Sequence, residues 1–223
     1  MSIWITRFRR YWLASAAALV ILFASSPNTA HPHAWIDLTS TVIFDESGRI
    51  TGLRLVWVFD DFYTLFVLEG FDIDGDGKVE QERLRALAAT NLRNLYEYSY
   101  FTFVQWDDQP VAVGTVTEFD TLMRNGRLVL SFTVPLTEPL DPAAASVSYA
   151  VYDPTYYIEV LHVSSASIVM EGQAAERCSF ALIEPSPSLE AVAGAAALDR
   201  NQTVSEGLGA FFAQRIELTC NPG

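Results

Sequence analysis

Only one lysine, three histidines and two cysteines occur in the 223 residues, and each scarcity excludes something. The 14 basic side chains face 27 acidic ones, a formal charge of −13 at pH 7. That balance excludes nucleic acid as a partner, because phosphate backbones need a basic surface. Chemistry is also missing. There is no G-x-S-x-G elbow, no H-E-x-x-H pair and no P-loop, so no catalytic constellation stands out and a non-enzymatic protein is expected. No internal repeat or low-complexity tract is visible. The one strongly apolar stretch, Trp12–Phe23, is shorter than the roughly 20 residues a bilayer-spanning helix needs.

That stretch follows Arg7, Arg9 and Arg10, and small residues lead from it to Ala30, with no acidic residue in the first thirty. A basic start, a short apolar core and a small residue at the cut form a secretory signal peptide. Residues 1–30 are therefore expected to be removed after Ala30, releasing a periplasmic protein that begins His31-Pro32-His33. Three of the basic side chains leave with the leader, so 11 remain against 27 acidic ones and the charge becomes −16. The remaining length suits one domain, 31–223. In an oxidising compartment Cys178 and Cys220 are most simply one disulfide; the alternative is a pair of metal ligands acting with a histidine.

Period-two alternation dominates. Leu53, Leu55, Trp57 and Phe59 share one strand face, and Ala34, Ile36, Leu38, Val42 and Phe44 share another. Further strand-like runs cover 101–106, 111–119, 127–134, 146–152, 156–163, 166–171, 178–183 and 215–220, and Asn125-Gly126 signals a tight hairpin. Helical spacing is clear in Leu84, Leu87, Ala88, Leu92 and Leu95, within 80–98. Shorter helices are expected at 61–70 and 204–213, with a loop or part-helix at 184–203. The expected fold class is α+β: a β-rich antiparallel sandwich with a helical, EF-hand-like insertion at about 60–100.

Three segments carry candidate chemistry. Asp72, Asp74 and Asp76 occupy positions one, three and five of an EF-hand-type loop, with Gly77 at six and the Lys78 carbonyl at seven. Glu80 stands at nine. Position twelve is Arg83 rather than the bidentate glutamate, and Glu82 lies one residue early, which weakens the expected Ca²⁺ affinity. The alternative is an ion-free turn between helices. The second segment is the mature N-terminus. A free amine on His31 together with its imidazole chelates transition metals, and His33 leaves the same face of an extended chain roughly 6.7 Å on. Pro32 has no amide N–H, which excludes the amide-chelating copper/nickel site. Asp37 shares that face about 13 Å from His33, and the alternative is a frayed terminus. The third is Tyr152-Asp153-Pro154-Thr155-Tyr156-Tyr157 with His162 beyond it. It reads first as turn chemistry and a buried histidine, with Asp153 and His162 as further candidate ligands.

In this order, His31-Pro32-His33-x-Trp35-Ile36-Asp37, Trp57-x-Phe59-Asp60, the Asp72–Lys78 loop, Glu97-Tyr98-x-Tyr100-Phe101, Tyr152–Tyr157 and the two cysteines resemble a family of uncharacterised periplasmic bacterial proteins. Its members are described as transport-system components encoded beside nickel/cobalt- or zinc-type permeases. The resemblance implies uptake or delivery of Zn²⁺, Ni²⁺ or Co²⁺ to an inner-membrane permease, with Ca²⁺ in the acidic loop as a separate structural ion. The chief alternative is a non-transport envelope structural or interaction protein whose only ion is of the Ca²⁺ type. A copper enzyme built on the histidine chelate is a third.

Overall fold

The computed structural model describes residues 32–71, 80–197 and 207–221. The leader, His31 and the loop residues Asp72, Asp74, Asp76 and Lys78 lie outside the described residues. Alternating apolar positions form two sheets that share one core. The first carries β1 (Ala34–Phe44), β2 (Ile50–Phe59), β5 (Phe119–Arg124), β6 (Arg127–Leu140), β8 (Ile158–His162) and β9 (Ile168–Glu171), in the order β5-β6-β2-β1-β8 with β9 also on β1. The second runs β10-β11-β7-β3-β4, from β10 (Cys178–Ile183), β11 (Arg215–Cys220), β7 (Val147–Val151), β3 (Thr102–Trp106) and β4 (Gln109–Val111). Leu38, Val42, Leu55, Trp57, Phe132 and Val134 from the first sheet join Val104, Tyr149, Val151 and Ile216 from the second in one buried cluster.

The expected α+β, β-rich architecture is present. Pairing is antiparallel except at one edge of β1, where β8 and β9 run parallel to it in succession. Asn125 and Gly126 both take left-handed φ, 52° and 79°, and pair Arg124 with Arg127. That is the primed turn whose twist matches the flanking strands.

The helical insertion consists of α1 (Asp61–Phe71) and α2 (Gln81–Leu95). Asp60 starts α1, its Oδ1 accepting from the Phe62 and Tyr63 amides at 2.8 and 3.0 Å. Leu84, Ala88 and Leu92 bury the inner stripe of α2. The Leu128 amide donates to Thr64 Oγ1 at 3.1 Å and Gln81 donates to the Thr121 carbonyl, seating both helices at the β5–β6 end.

A 3₁₀ turn, Tyr96–Phe101, follows α2 and ends on Ser99, Tyr100 and Phe101, all with left-handed φ of 53°, 54° and 59°. Such residues cost about 1–3 kcal/mol each and persist only where their surroundings over-determine them. Here Phe101 stacks on Trp57 at 6.1 Å, and Tyr100 is buried with its hydroxyl accepting from the Val116 amide at 3.0 Å.

Two expectations are corrected. The apolar run at 111–119 is not a continuous strand. β4 ends at Val111, Val113 makes an isolated bridge to Leu136, and the next strand begins at Phe119. The segment still runs antiparallel along β6: the Thr137 amide donates to the Ala112 carbonyl at 3.2 Å, the Gly114 amide to the Pro135 carbonyl at 2.7 Å and the Thr133 amide to the Glu118 carbonyl at 3.1 Å, so the ladder is interrupted at 115–117 rather than continuous. The helix expected at 204–213 is, within its described part, a single 3₁₀ turn at Gly209–Phe212. Gly209 is pressed so closely on Asp153 that a Cβ would lie 1.8 Å from its carbonyl oxygen. The part-helix expected within 184–203 is α3, Leu189–Ala197.

Candidate metal-binding edge

His33 immediately precedes β1 and is fixed on one side by Tyr157. The His33 amide donates to the Tyr157 carbonyl at 2.8 Å, and the two rings stand 4.6 Å apart. On the other side the Trp35 amide donates to Asp60 Oδ2 at 2.8 Å, and the Asp60 amide returns a bond to the Trp35 carbonyl at 2.9 Å. Asp60 thus caps α1 with one carboxylate oxygen and clamps the start of β1 with the other. Trp35 and Tyr157 are exposed beside this edge.

Asp37 follows on the same outer face, but its Oδ2 is held by Arg127 Nη1 at 2.6 Å. Arg127 also donates from Nε to the Phe59 carbonyl at 2.6 Å and from Nη2 to the Val58 carbonyl at 3.1 Å. The guanidinium fork bolts β6, β2 and β1 together, and Asp37 serves as its anchor.

The Asp153 segment is a clamped turn. The carboxylate is buried, with Oδ1 accepting from the amide and hydroxyl of Thr155, both at 2.8 Å, and Oδ2 from the Ile158 amide at 3.0 Å. Tyr156 adopts a φ of 58°, stacks on Phe212 at 4.0 Å and donates its hydroxyl to Glu159 at 3.0 Å. Burial and the adjacent Glu159 charge both push its phenol pKa up. The Pro154 carbonyl accepts from Gly207 and Gly209 at 3.2 and 3.1 Å. Asp153 therefore organises the loop whose last residue supports His33.

His162 lies elsewhere. In the parallel register it pairs with Leu38, so it points into the core, whereas His33 precedes β1 on the outer side. Five strand residues separate the two histidines along the ladder, roughly 16 Å. The structure does not bring them together, and no three-histidine cluster forms from His33 and His162. His162 instead belongs to a buried polar chain. The Gln214 amide nitrogen donates to Glu184 at 3.0 Å, which turns Gln214 Oε1 toward His162, where it accepts from the backbone amide at 2.7 Å and faces Nδ1 at 3.2 Å. Nδ1 therefore carries the proton, and Nε2 accepts from Ser40 Oγ at 2.8 Å. Ser40 in turn accepts from the Tyr149 hydroxyl at 2.7 Å. Burial lowers the His162 pKa, against smaller opposing contributions from Gln214 and Glu184, and it raises the Tyr149 phenol. Ser40, in the middle of this chain, is fully buried.

At the acidic loop, α1 and α2 provide the expected helix–loop–helix frame. Of its candidate ligands only Glu80 and Glu82 are described, both exposed. Glu80 is extended just before α2, and its carboxylate lies 3.9 Å from Arg83. A cation at position twelve does not fit a Ca²⁺ ligand set, whereas Glu80 fits position nine. Among the described residues no group of three or more His, Cys, Asp or Glu side chains is placed to hold a metal. Cys178 and Cys220 form a disulfide across the β10–β11 pair, so neither is a metal ligand.

Arg127, Gln214 and Glu184 gave no local signal in the sequence, because each acts on a residue distant along the chain. Asp60 did give one. An aspartate just ahead of a helical segment is a capping residue.

Among the described residues no helix is long and apolar enough to cross a membrane, and the disulfide is compatible with an extracytoplasmic location. An uncharacterised protein of Haemophilus influenzae is 28% identical over 209 residues, spanning 91% of this chain and 97% of its own. An uncharacterised 15.5 kDa protein encoded in the trpE 3′ region of Spirochaeta aurantia is 31% identical over 123 residues, 55% of this chain and 86% of its own. A family model described as a protein of unknown function (DUF1007) matches residues 16–220, and the chain belongs to that family.

Proposed function

We propose that this is a periplasmic accessory protein that binds a divalent transition metal, Zn²⁺, Ni²⁺ or Co²⁺, and passes it to an inner-membrane permease. His31 and His33 are its ligands. The observation that carries the reading is the fixed place of His33. Its amide is tied to Tyr157, and the next residues are clamped through Asp60, so a metal captured there meets an imidazole already held at the start of β1. Preorganisation of this kind lowers the ordering cost of binding. The metal is cargo. Asp37 and Asp153 hold the strands and the loop beside this edge, and His162 belongs to the separate buried chain in the core.

Titration of the mature protein with Zn²⁺, Ni²⁺, Co²⁺ and Ca²⁺, beside a His31→Ala/His33→Ala variant, tests this. Transition-metal affinity falls at least tenfold in the variant while Ca²⁺ behaviour is unchanged, and each ion bound releases protons from imidazole or amine. Equal affinity in both proteins overturns the assignment.

The helix–loop–helix frame favours a second reading, a non-transport envelope structural or interaction protein with a Ca²⁺-type ion at Asp72, Asp74, Asp76, Lys78, Glu80 and Glu82. Binding of Ca²⁺ alone in the same titration supports it.

A further inference from the structure

The left-handed turn after α2 forms one wall of a cleft of about 460 Å³ lined by Ala89, Leu92, Arg93, Tyr96, Tyr100 and Phe119, with Thr115 and Val116 at its rim. This volume is within the roughly 300–1,000 Å³ of small-molecule sites, which combine mainly apolar walls with a few placed polar groups. Three observations meet there. The wall is built rather than incidental: Tyr100 is buried within a strained left-handed run, and its hydroxyl accepts from the amide of Val116, another lining residue. The lining is aromatic and aliphatic. The charged group in it is Arg93, whose guanidinium donates to Thr90 Oγ1 at 2.9 Å. Among the described residues no carboxylate lies within ion-pair distance of Arg93, in a chain where acidic groups outnumber basic ones nearly two to one. By contrast Arg85, about two helical turns earlier and over the Phe119 ring at 4.7 Å, has Asp120 at 3.8 Å.

We infer that this cleft binds a small amphipathic monoanion, an apolar body carrying one carboxylate or sulfonate, with the head on Arg93 and the body against Leu92, Tyr96, Tyr100 and Phe119. The arrangement selects by difference. An uncharged apolar molecule gains only the walls, a small anion without an apolar body gains only one exposed guanidinium, and a cation is repelled by Arg93. The cleft involves none of the metal-edge residues, so it stands or falls independently of the proposed metal site.

Decanoate, decanol and acetate are the probes, titrated by calorimetry into the mature protein and into Arg93→Gln and Ala89→Phe variants. Arg93 is exposed and Ala89 lies on the cleft wall, so circular dichroism should show both variants folded like the parent. Decanoate should bind saturably at one site, more tightly than decanol, while acetate does not bind. Arg93→Gln should weaken decanoate at least tenfold and leave decanol unchanged, and Ala89→Phe should abolish both by filling the cleft. Absence of saturable decanoate binding overturns the inference. So does decanoate binding that neither substitution changes, since that is adsorption elsewhere.

Discussion

At the residue scale the most informative side chain is His162. Its neutral form is required by the direction of the buried chain, Tyr149 to Ser40 to His162 Nε2, with Nδ1 donating to Gln214. Protonating Nε2 turns it into a donor, so the buried Ser40 O–H loses the acceptor it has in the neutral state. The folded pKa is depressed below the ordinary 6.5, chiefly by burial, so the unfolded chain takes up the proton first as pH falls. Stability from this group is complete well above pH 6.5 and declines below it, by up to about 1.4 kcal/mol per pH unit until the folded pKa is reached. Urea unfolding at pH 7.5 and 5.5 should show a larger acid loss for the parent than for His162→Gln, which cannot titrate. Ser40→Ala should cost about 1–3 kcal/mol at neutral pH by leaving two buried groups unpaired. The alternating pattern around Ile158 and Val160 announced a buried histidine. Its partners were not legible, because Ser40 and Gln214 are 122 and 52 residues away along the chain.

At the scale of elements, Asp60 links three structures: the end of β2, the first turn of α1 and the entry to β1. Asp60→Ala should cost about 1–2 kcal/mol for the lost cap. It should also speed hydrogen exchange of the Trp35 amide more than that of amides in the middle of β1, such as Ser40. Unchanged exchange at Trp35 would mean that the clamp does not hold the edge. Most strands were legible in the period-two alternation, and α2 in its Leu84–Leu95 stripe, because both patterns report which face is buried. The run at 111–119 misled for the same reason: its apolar residues do pack beside β6, but the pairing there is interrupted at 115–117 rather than a continuous ladder. The parallel edge of β1 was not legible either. Strand direction depends on where β8 returns after β7, and no local pattern records that.

At the scale of the whole molecule, the disulfide closes the second sheet over a sequence separation of 42 residues. In the chain-entropy model a loop of that length contributes about 4 kcal/mol. The paired Cys178→Ser/Cys220→Ser variant should lose roughly this amount in denaturant unfolding, and thiol reductant should lower the Tm of the parent but not of that variant. The large acidic excess is a property of the whole surface, governing solubility and the attraction of cations rather than the fold.

By itself the sequence determined the alternation that makes two sheets, the Asn125-Gly126 hairpin, the helical insertion and a disulfide as the simplest use of its two cysteines. Each of these depends on neighbours within a few residues or on there being no other partner. Only the tertiary structure decided that Asp37 anchors Arg127, that Asp153 is consumed by its own turn and that His162 faces the core, away from His33. Those outcomes depend on strand register and direction, which set the side of the sheet that a ligating group faces. A side chain's type states what it can bind, and the fold decides whether it is free to do so.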